Sequence, residues 1–173
     1  KNESEEVILE PQPEPVSSDD DSNNFRLRIL SGTYSEGDTN ASNLSYSLYW
    51  LGVGLGISNL SYELKSGGNQ YYLNGKTYDL SYTSGDSLSW TVAIGNVASG
   101  GGRISSPTNN YRTSEVSGST FSGLIGIGWG SLEGIAGYQN FSLNYEGFKN
   151  ASGVTLSKPY SGSLGLFLIG LGV

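Results

Sequence analysis

From residue 24 to the end, apolar and small polar residues alternate with a period of two in run after run, and no three-to-four spacing persists long enough to make an amphipathic helix. Such a chain must fold as antiparallel β-structure, with one face of each strand apolar. The clearest run sets Leu88, Trp90, Val92 and Ile94 against Ser89, Thr91, Ala93 and Gly95. Phe121, Ile125, Ile127 and Trp129 oppose Thr120, Ser122, Gly126 and Gly128, and Leu44, Tyr46, Leu48 and Trp50 oppose Ser45, Ser47 and Tyr49. Ile135, Gln139, Phe141, Leu143 and Tyr145 oppose Tyr138, Asn140, Ser142, Asn144 and Glu146. This pattern predicts eight strands, near 24–34, 43–51, 54–65, 76–83, 87–97, 118–129, 134–147 and 155–173. Residues 54–65 change phase, with Leu55 and Ile57 on one face and Leu60, Tyr62 and Leu64 on the other, and a bulge near Ser58 and Asn59 would restore the register.

The connections alternate in length. Short ones fall at 51–54, 83–86 and 130–133, long ones at 35–42, 66–75, 98–117 and 148–154. In an up-and-down barrel alternate connections lie at opposite ends, so the short turns share one rim, and an even strand count puts both termini there. Trp50, Tyr82, Trp90 and Trp129 all map to that rim. An aromatic girdle at a membrane interface clusters in this way, because an indole has an apolar body and one N–H that favours the headgroup region.

The polar face distinguishes a barrel in lipid from a sandwich in water. The chain has 9 Lys+Arg and 16 Asp+Glu, for a net charge of −7. Eight of the acids stand in residues 1–23 against Lys1 alone, so that stretch carries the whole net charge. The rest is neutral and only roughly 11% charged, where about 25% is usual for a soluble domain. Its polar face is Ser, Gly, Thr and Asn, which suits the lumen of a narrow barrel whose apolar face meets lipid. No apolar run is long enough for a membrane helix, but about 9–11 residues suffice for a tilted membrane strand. Residues 1–23, with Pro11, Pro13 and Pro15 followed by an acidic run, read as a disordered periplasmic tail. No basic and apolar leader is readable, as expected of a mature chain whose signal peptide has been removed. The expected fold is therefore all-β: an eight-stranded antiparallel up-and-down transmembrane β-barrel over 24–173, after an acidic tail over 1–23.

The segments SLSWTVAIGNV, IAGYQNFSLNYEGF and YSGSLGLFLIGLGV resemble strands of the small bacterial outer-membrane β-barrel proteins, the OmpA/OmpX-like "porin family" barrels. The resemblance covers about 24–173 and is architectural. It implies residence in the Gram-negative outer membrane with both termini periplasmic and membrane lipid as a partner. Members typically end in an aromatic residue, whereas this sequence ends at Val173, with Phe167 its last aromatic.

The chain has no His and no Cys, which removes imidazole bases, Ser-His and Cys-His pairs and the usual zinc and haem ligands. Outer-membrane enzymes of this size resemble one another in using a His, so no enzyme, catalytic residue, metal or cofactor is expected. Arg26, Arg28, Asp79 and Glu146, with Glu63 depending on the bulge, are expected to face the lumen as a structural ion-pair network in which Glu146 reaches an arginine. The loop over 98–118, with Arg103 and Arg112, is polar and suited to recognition. The leading expectation is a non-enzymatic outer-membrane barrel with a structural, surface-interaction or complex-assembly role. Its partners would be membrane lipid and an envelope protein met through the tail or long loops, with no nucleic acid given the acidic balance. One alternative is a small channel or transporter for small or apolar solutes, with inward glycines at 126, 128 and 165 and a pocket lined by Leu30, Phe167 and Ile169. Another is a soluble, secreted β-sandwich that binds a ligand.

Overall fold

A computed structural model describes residues 25–157 and 159–173, so the acidic tail lies outside the described residues. Strands β1 (Phe25–Glu36), β2 (Thr39–Trp50), β3 (Val53–Ser66), β4 (Asn69–Ser84) and β5 (Leu88–Ser105) form a meander. A short β6 (Asn110–Thr113) follows, then β7 (Glu115–Trp129), β8 (Leu132–Glu146), a two-residue β9 (Lys149–Asn150) and β10 (Tyr160–Gly172). There is no helix among the described residues. The wall runs β1-β2-β3-β4-β5-β7-β8-β10 and closes by antiparallel pairing of β10 with β1, while β6 and β9 extend one end. Closure leaves no second sheet among the described residues, which rules out the sandwich.

Register sets the bore. A path along paired residues from Arg28 through Ser47, Gly56, Asp79, Gly95, Thr120 and Phe141 arrives at Leu164, eight residues from Gly172, the other partner of Arg28. Eight strands with a shear of eight tilt by about 36° and leave a lumen that side chains fill.

Both ends of the barrel use tight turns. Leu51 and Gly52, at φ 52° and 81°, connect β2 to β3, and Gly67 and Gly68, at 57° and 78°, connect β3 to β4. These are the left-handed pairs that match the twist of a two-residue hairpin. The connections expected at 35–42 and 66–75 are therefore two-residue turns at 37–38 and 67–68, and the loop expected at 98–117 is mostly strand, taken up by the end of β5, by β6 and by the start of β7. The last strand begins at Tyr160, later than its expected start.

One property explains these differences: the two faces of the wall exchange character along the barrel. From the rim at the termini, outward residues are apolar, as in Val53, Leu55 and Ile57 of β3, then polar, as in Asn59, Ser61 and Glu63. Inward residues do the reverse, from Gly54, Gly56 and Ser58 to Leu60, Tyr62 and Leu64. The apparent phase change in β3 is this exchange, because β3 pairs with β2 and β4 without a register shift, and the bulge lies in the β4–β5 ladder at Lys76 and Thr77. In β8 the exchange puts Phe141, Leu143 and Tyr145 inside and Asn140, Ser142, Asn144 and Glu146 outside. In β10 Leu166 and Leu168 face the core while Phe167 and Ile169 are exposed.

Candidate functional site

The half of the lumen nearest the termini is polar. Arg28 on β1 is fully buried there, and its Nε and Nη2 donate to Glu133 Oε2 and Oε1 at 2.8 Å each. Nη1 donates to Thr83 and Thr91 at 3.1 and 2.5 Å, and Nη2 also to Ser89 at 3.3 Å, so every guanidinium N–H is used. The Tyr49 ring stacks on the guanidinium at 4.6 Å. The pair follows from register: Arg28 and Glu133 are both partners of Gly172, which has no side chain to separate them. A Cβ at Gly126 would run into the Glu133 carboxylate, so that glycine makes room for the ion pair and opens no cavity.

Higher in the lumen Asp79 is 8% exposed and accepts hydrogen bonds from Ser58 and Thr120 at 2.6 Å each and from Thr77 at 3.1 Å. Ser58 in turn accepts from Ser45 at 2.9 Å and from Gln139 at 3.2 Å, and Asn43 donates to Ser45 and Gln139. Beyond this layer Leu60, Leu73, Phe141, Leu143 and Leu166 form an apolar plug. Above the plug Tyr145 donates to the Asn74 carbonyl, and Tyr160 approaches Tyr62 at 3.5 Å between the hydroxyl oxygens.

The five lumen candidates therefore separate. Arg26 sits at the rim, donating to the Gly85 carbonyl at 3.2 Å with Glu133 at 3.9 Å, and Arg28 is the centre of the cluster. Asp79 bonds only to hydroxyls. Glu63 is outward and accepts from Gln70 at 2.9 Å. Glu146 is exposed, accepts from Asn144 at 2.5 Å and lies opposite Glu115 on β7, away from both arginines. The partner of Arg28 is Glu133, a residue that the sequence reading left inside a turn. Its signal was parity, since Glu133 shares a face with Ile135 and Gln139.

The outer surface carries the second feature. Trp50, Trp90 and Trp129 are exposed at the rim of the termini, with Tyr82 5.7 Å from Trp90 between ring centroids. Above them the apolar outward residues form a continuous belt around all eight wall strands, from Ile29 and Leu44 to Tyr138 and Phe167. Gly165 faces outward under the Tyr138 ring, not into the lumen.

No family model matches the chain, and no curated protein matches it. Among solved structures it is similar to Neisserial surface protein A (NspA), with a TM-score of 0.53 at 10% identity over 87% of this chain and 96% of that one. The fold is that of the small outer-membrane barrels. The N-terminal β-barrel domain of Pseudomonas aeruginosa OprF is also matched, with a TM-score of 0.49 at 15% identity over 86% of this chain and 96% of that domain. In this barrel the polar cluster lies within the stretch ringed by the apolar belt, and the plug stands beyond both along the wall.

Proposed function

We propose that the chain is an integral outer-membrane barrel with a structural or surface-interaction role, its termini and tryptophan rim in the periplasm, and no catalytic activity. The observation that carries this reading is the exchange of faces. Where the outside is apolar the inside is mostly polar, with Leu30, Leu124, Ile135 and Leu168 set among its hydroxyls and charges, and where the outside is polar the inside is an apolar core. A barrel in water has no use for the first half, and a barrel wholly within lipid has none for the second. The exchange fits a barrel whose lower half spans a bilayer and whose upper half stands above it in water.

The plug argues against a channel, because Phe141, Leu166 and Leu168 are essentially without exposure across the lumen. At the upper end Arg103, Arg112 and Lys149 lie side by side in register on β5, β6 and β9, all exposed. Directly opposed like charges are unfavourable, so this row favours a surface that meets an anionic envelope or external partner. Two measurements test the reading. The purified chain should need detergent to stay monodisperse, and in planar bilayers it should show no discrete conductance steps. Monodisperse behaviour in plain buffer would remove the membrane assignment, and regular single-channel steps would replace the structural role with a pore.

A further inference from the structure

Closure of the barrel stops partway up the wall. β1 is paired with β2 along its whole length, and β10 with β8 along its own, but the pairing of β1 with β10 ends at Ser31 opposite Ile169. Past Gly32 the rest of β1, Thr33 to Glu36, is exposed, and so are Ser161, Gly162 and Ser163 on the facing edge of β10. A seam therefore runs from the upper edge of the belt to the outer mouth. Its foot lies among belt residues, Ile29 on β1 with Phe167 and Ile169 on β10, all exposed. Phe167 meets Tyr138 of β8 edge to face at 5.5 Å, so its ring turns away from β1 and leaves the seam uncovered.

Beside the seam is a cavity of about 40 Å³, room for about three water-sized groups at roughly 10–15 Å³ each. Leu60, Phe141, Leu143 and Leu164 line it, and no side chain of its lining is charged. Of the hydroxyls around it, Tyr145 is engaged with the Asn74 carbonyl and Ser163 with Asn140. Tyr62 and Tyr160, 3.5 Å apart between hydroxyl oxygens, therefore form its polar end. The lining comes from β3, β4, β8 and β10, with nothing from β1 or β2, the strands that stand between β3 and β10 in the wall, so the cavity is open toward the seam. Gly162 leaves space there, since a Cβ on it would meet only Tyr160, at 3.9 Å. An apolar space with a hydrogen-bonding end and no charge matches a hydrocarbon chain that carries a neutral polar head. Continuity with the belt gives the chain its direction, with the head at the outer mouth and the tail down the seam.

We propose that the cavity and seam bind a single-chain amphiphile with an uncharged, hydrogen-bonding head, of the fatty alcohol or monoacylglycerol class. The head meets the Tyr62 and Tyr160 hydroxyls, and the chain lies against Leu60, Leu143 and Leu164. The proposal rests on the membrane reading above, because lipid stands at the foot of the seam only if the belt spans a bilayer. The test uses the whole chain, folded in micelles of deuterated detergent, with protonated 1-dodecanol as the probe. Proton NMR should show cross-peaks from the dodecanol chain to the methyl groups of Leu60, Leu143 and Leu164 in the cavity. A second set should reach Leu55 and Leu80, exposed on the belt, where the alcohol shares the micelle. Gly162→Leu fills the cavity and should lose the first set while keeping the second, and Tyr160→Phe, which removes one hydroxyl, should weaken the first set. Ionised dodecanoate should give the belt set alone. Belt cross-peaks without cavity cross-peaks, or cavity cross-peaks that persist in Gly162→Leu or are equally strong with dodecanoate, would overturn the proposal and leave the membrane reading standing. Absence of cross-peaks at Leu55 and Leu80 would remove that reading and the proposal with it.

Discussion

Glu133 and Asp79 each stand in register between two glycines, Gly128 and Gly172 for the first, Gly56 and Gly95 for the second. Directly opposed side chains in a sheet approach to about 5 Å, so a glycine on either side gives a carboxylate the space to reach its donors. Removing one partner of the buried pair leaves the other charge stranded. Glu133→Ala should therefore lower stability by about 3–5 kcal/mol, read as a lower urea midpoint for folding in micelles. Arg28→Met combined with Glu133→Leu should recover much of that loss, since a buried pair is often replaceable by apolar residues of similar volume. Arg28 was legible in the sequence as an inward charge on a clean alternating strand. Glu133 was not, because a residue next to a turn has no periodicity on one side, and its nearness to Arg28 exists only through Gly172 on a third strand.

Single strands show where the belt ends. On β3 the boundary falls between Ile57 and Asn59. Lysine at outward Leu55 should cost about 2–4 kcal/mol, whereas lysine at outward Ser61 should cost close to nothing, because only the first position faces lipid. Equal losses at the two sites, measured by unfolding from phospholipid vesicles, would contradict the boundary. At the other end of the barrel, Arg112 lies between Arg103 and Lys149. Arg112→Glu converts two repulsive pairs into two attractive ones and should slow amide exchange over 110–113, with about 0.2–1 kcal/mol gained per pair. The strands nearest the terminal rim could be read from sequence because their outward residues are uniformly apolar. The upper halves of β3, β4 and β8 could not. There the apolar residues change sides without any change in the backbone, and alternation alone has no label for inside and outside.

The belt as a whole is short. From Leu44 to Trp50 it spans roughly 16 Å along the barrel axis, and from Phe121 to Trp129 roughly 22 Å, given a strand rise of ~3.4 Å and the tilt of ~36°. A belt below the usual ~25 Å suits a thin bilayer. Folding should therefore be more complete in vesicles of short-chain than of long-chain phosphatidylcholine, as scored by heat-modifiable migration on gels, and the opposite order would argue against this span. The half of the barrel beyond the belt has its own response to pH. Burial raises the Tyr145 phenol to about 12, and burial with the Tyr62 hydroxyl nearby raises Tyr160 further. Neutral phenols are thus favoured in the folded state. Their contribution is complete below about pH 10, where unfolded tyrosine is also neutral, and is lost as pH rises through 12. Alkaline titration followed by phenolate absorbance should show two tyrosines that ionise only as the fold opens, and Tyr145→Phe should remove one of them. The sequence alone determined that this chain is all-β and favoured an eight-stranded barrel with its tryptophans on one rim, because strand periodicity, strand count and turn spacing are local properties that add up along the chain. Only the tertiary structure decided which carboxylate meets Arg28, where the apolar belt gives way to a polar outer surface, and that the lumen is plugged. Those depend on closure of β1 on β10 and on a shear of eight, which bring together residues that no sequence interval relates.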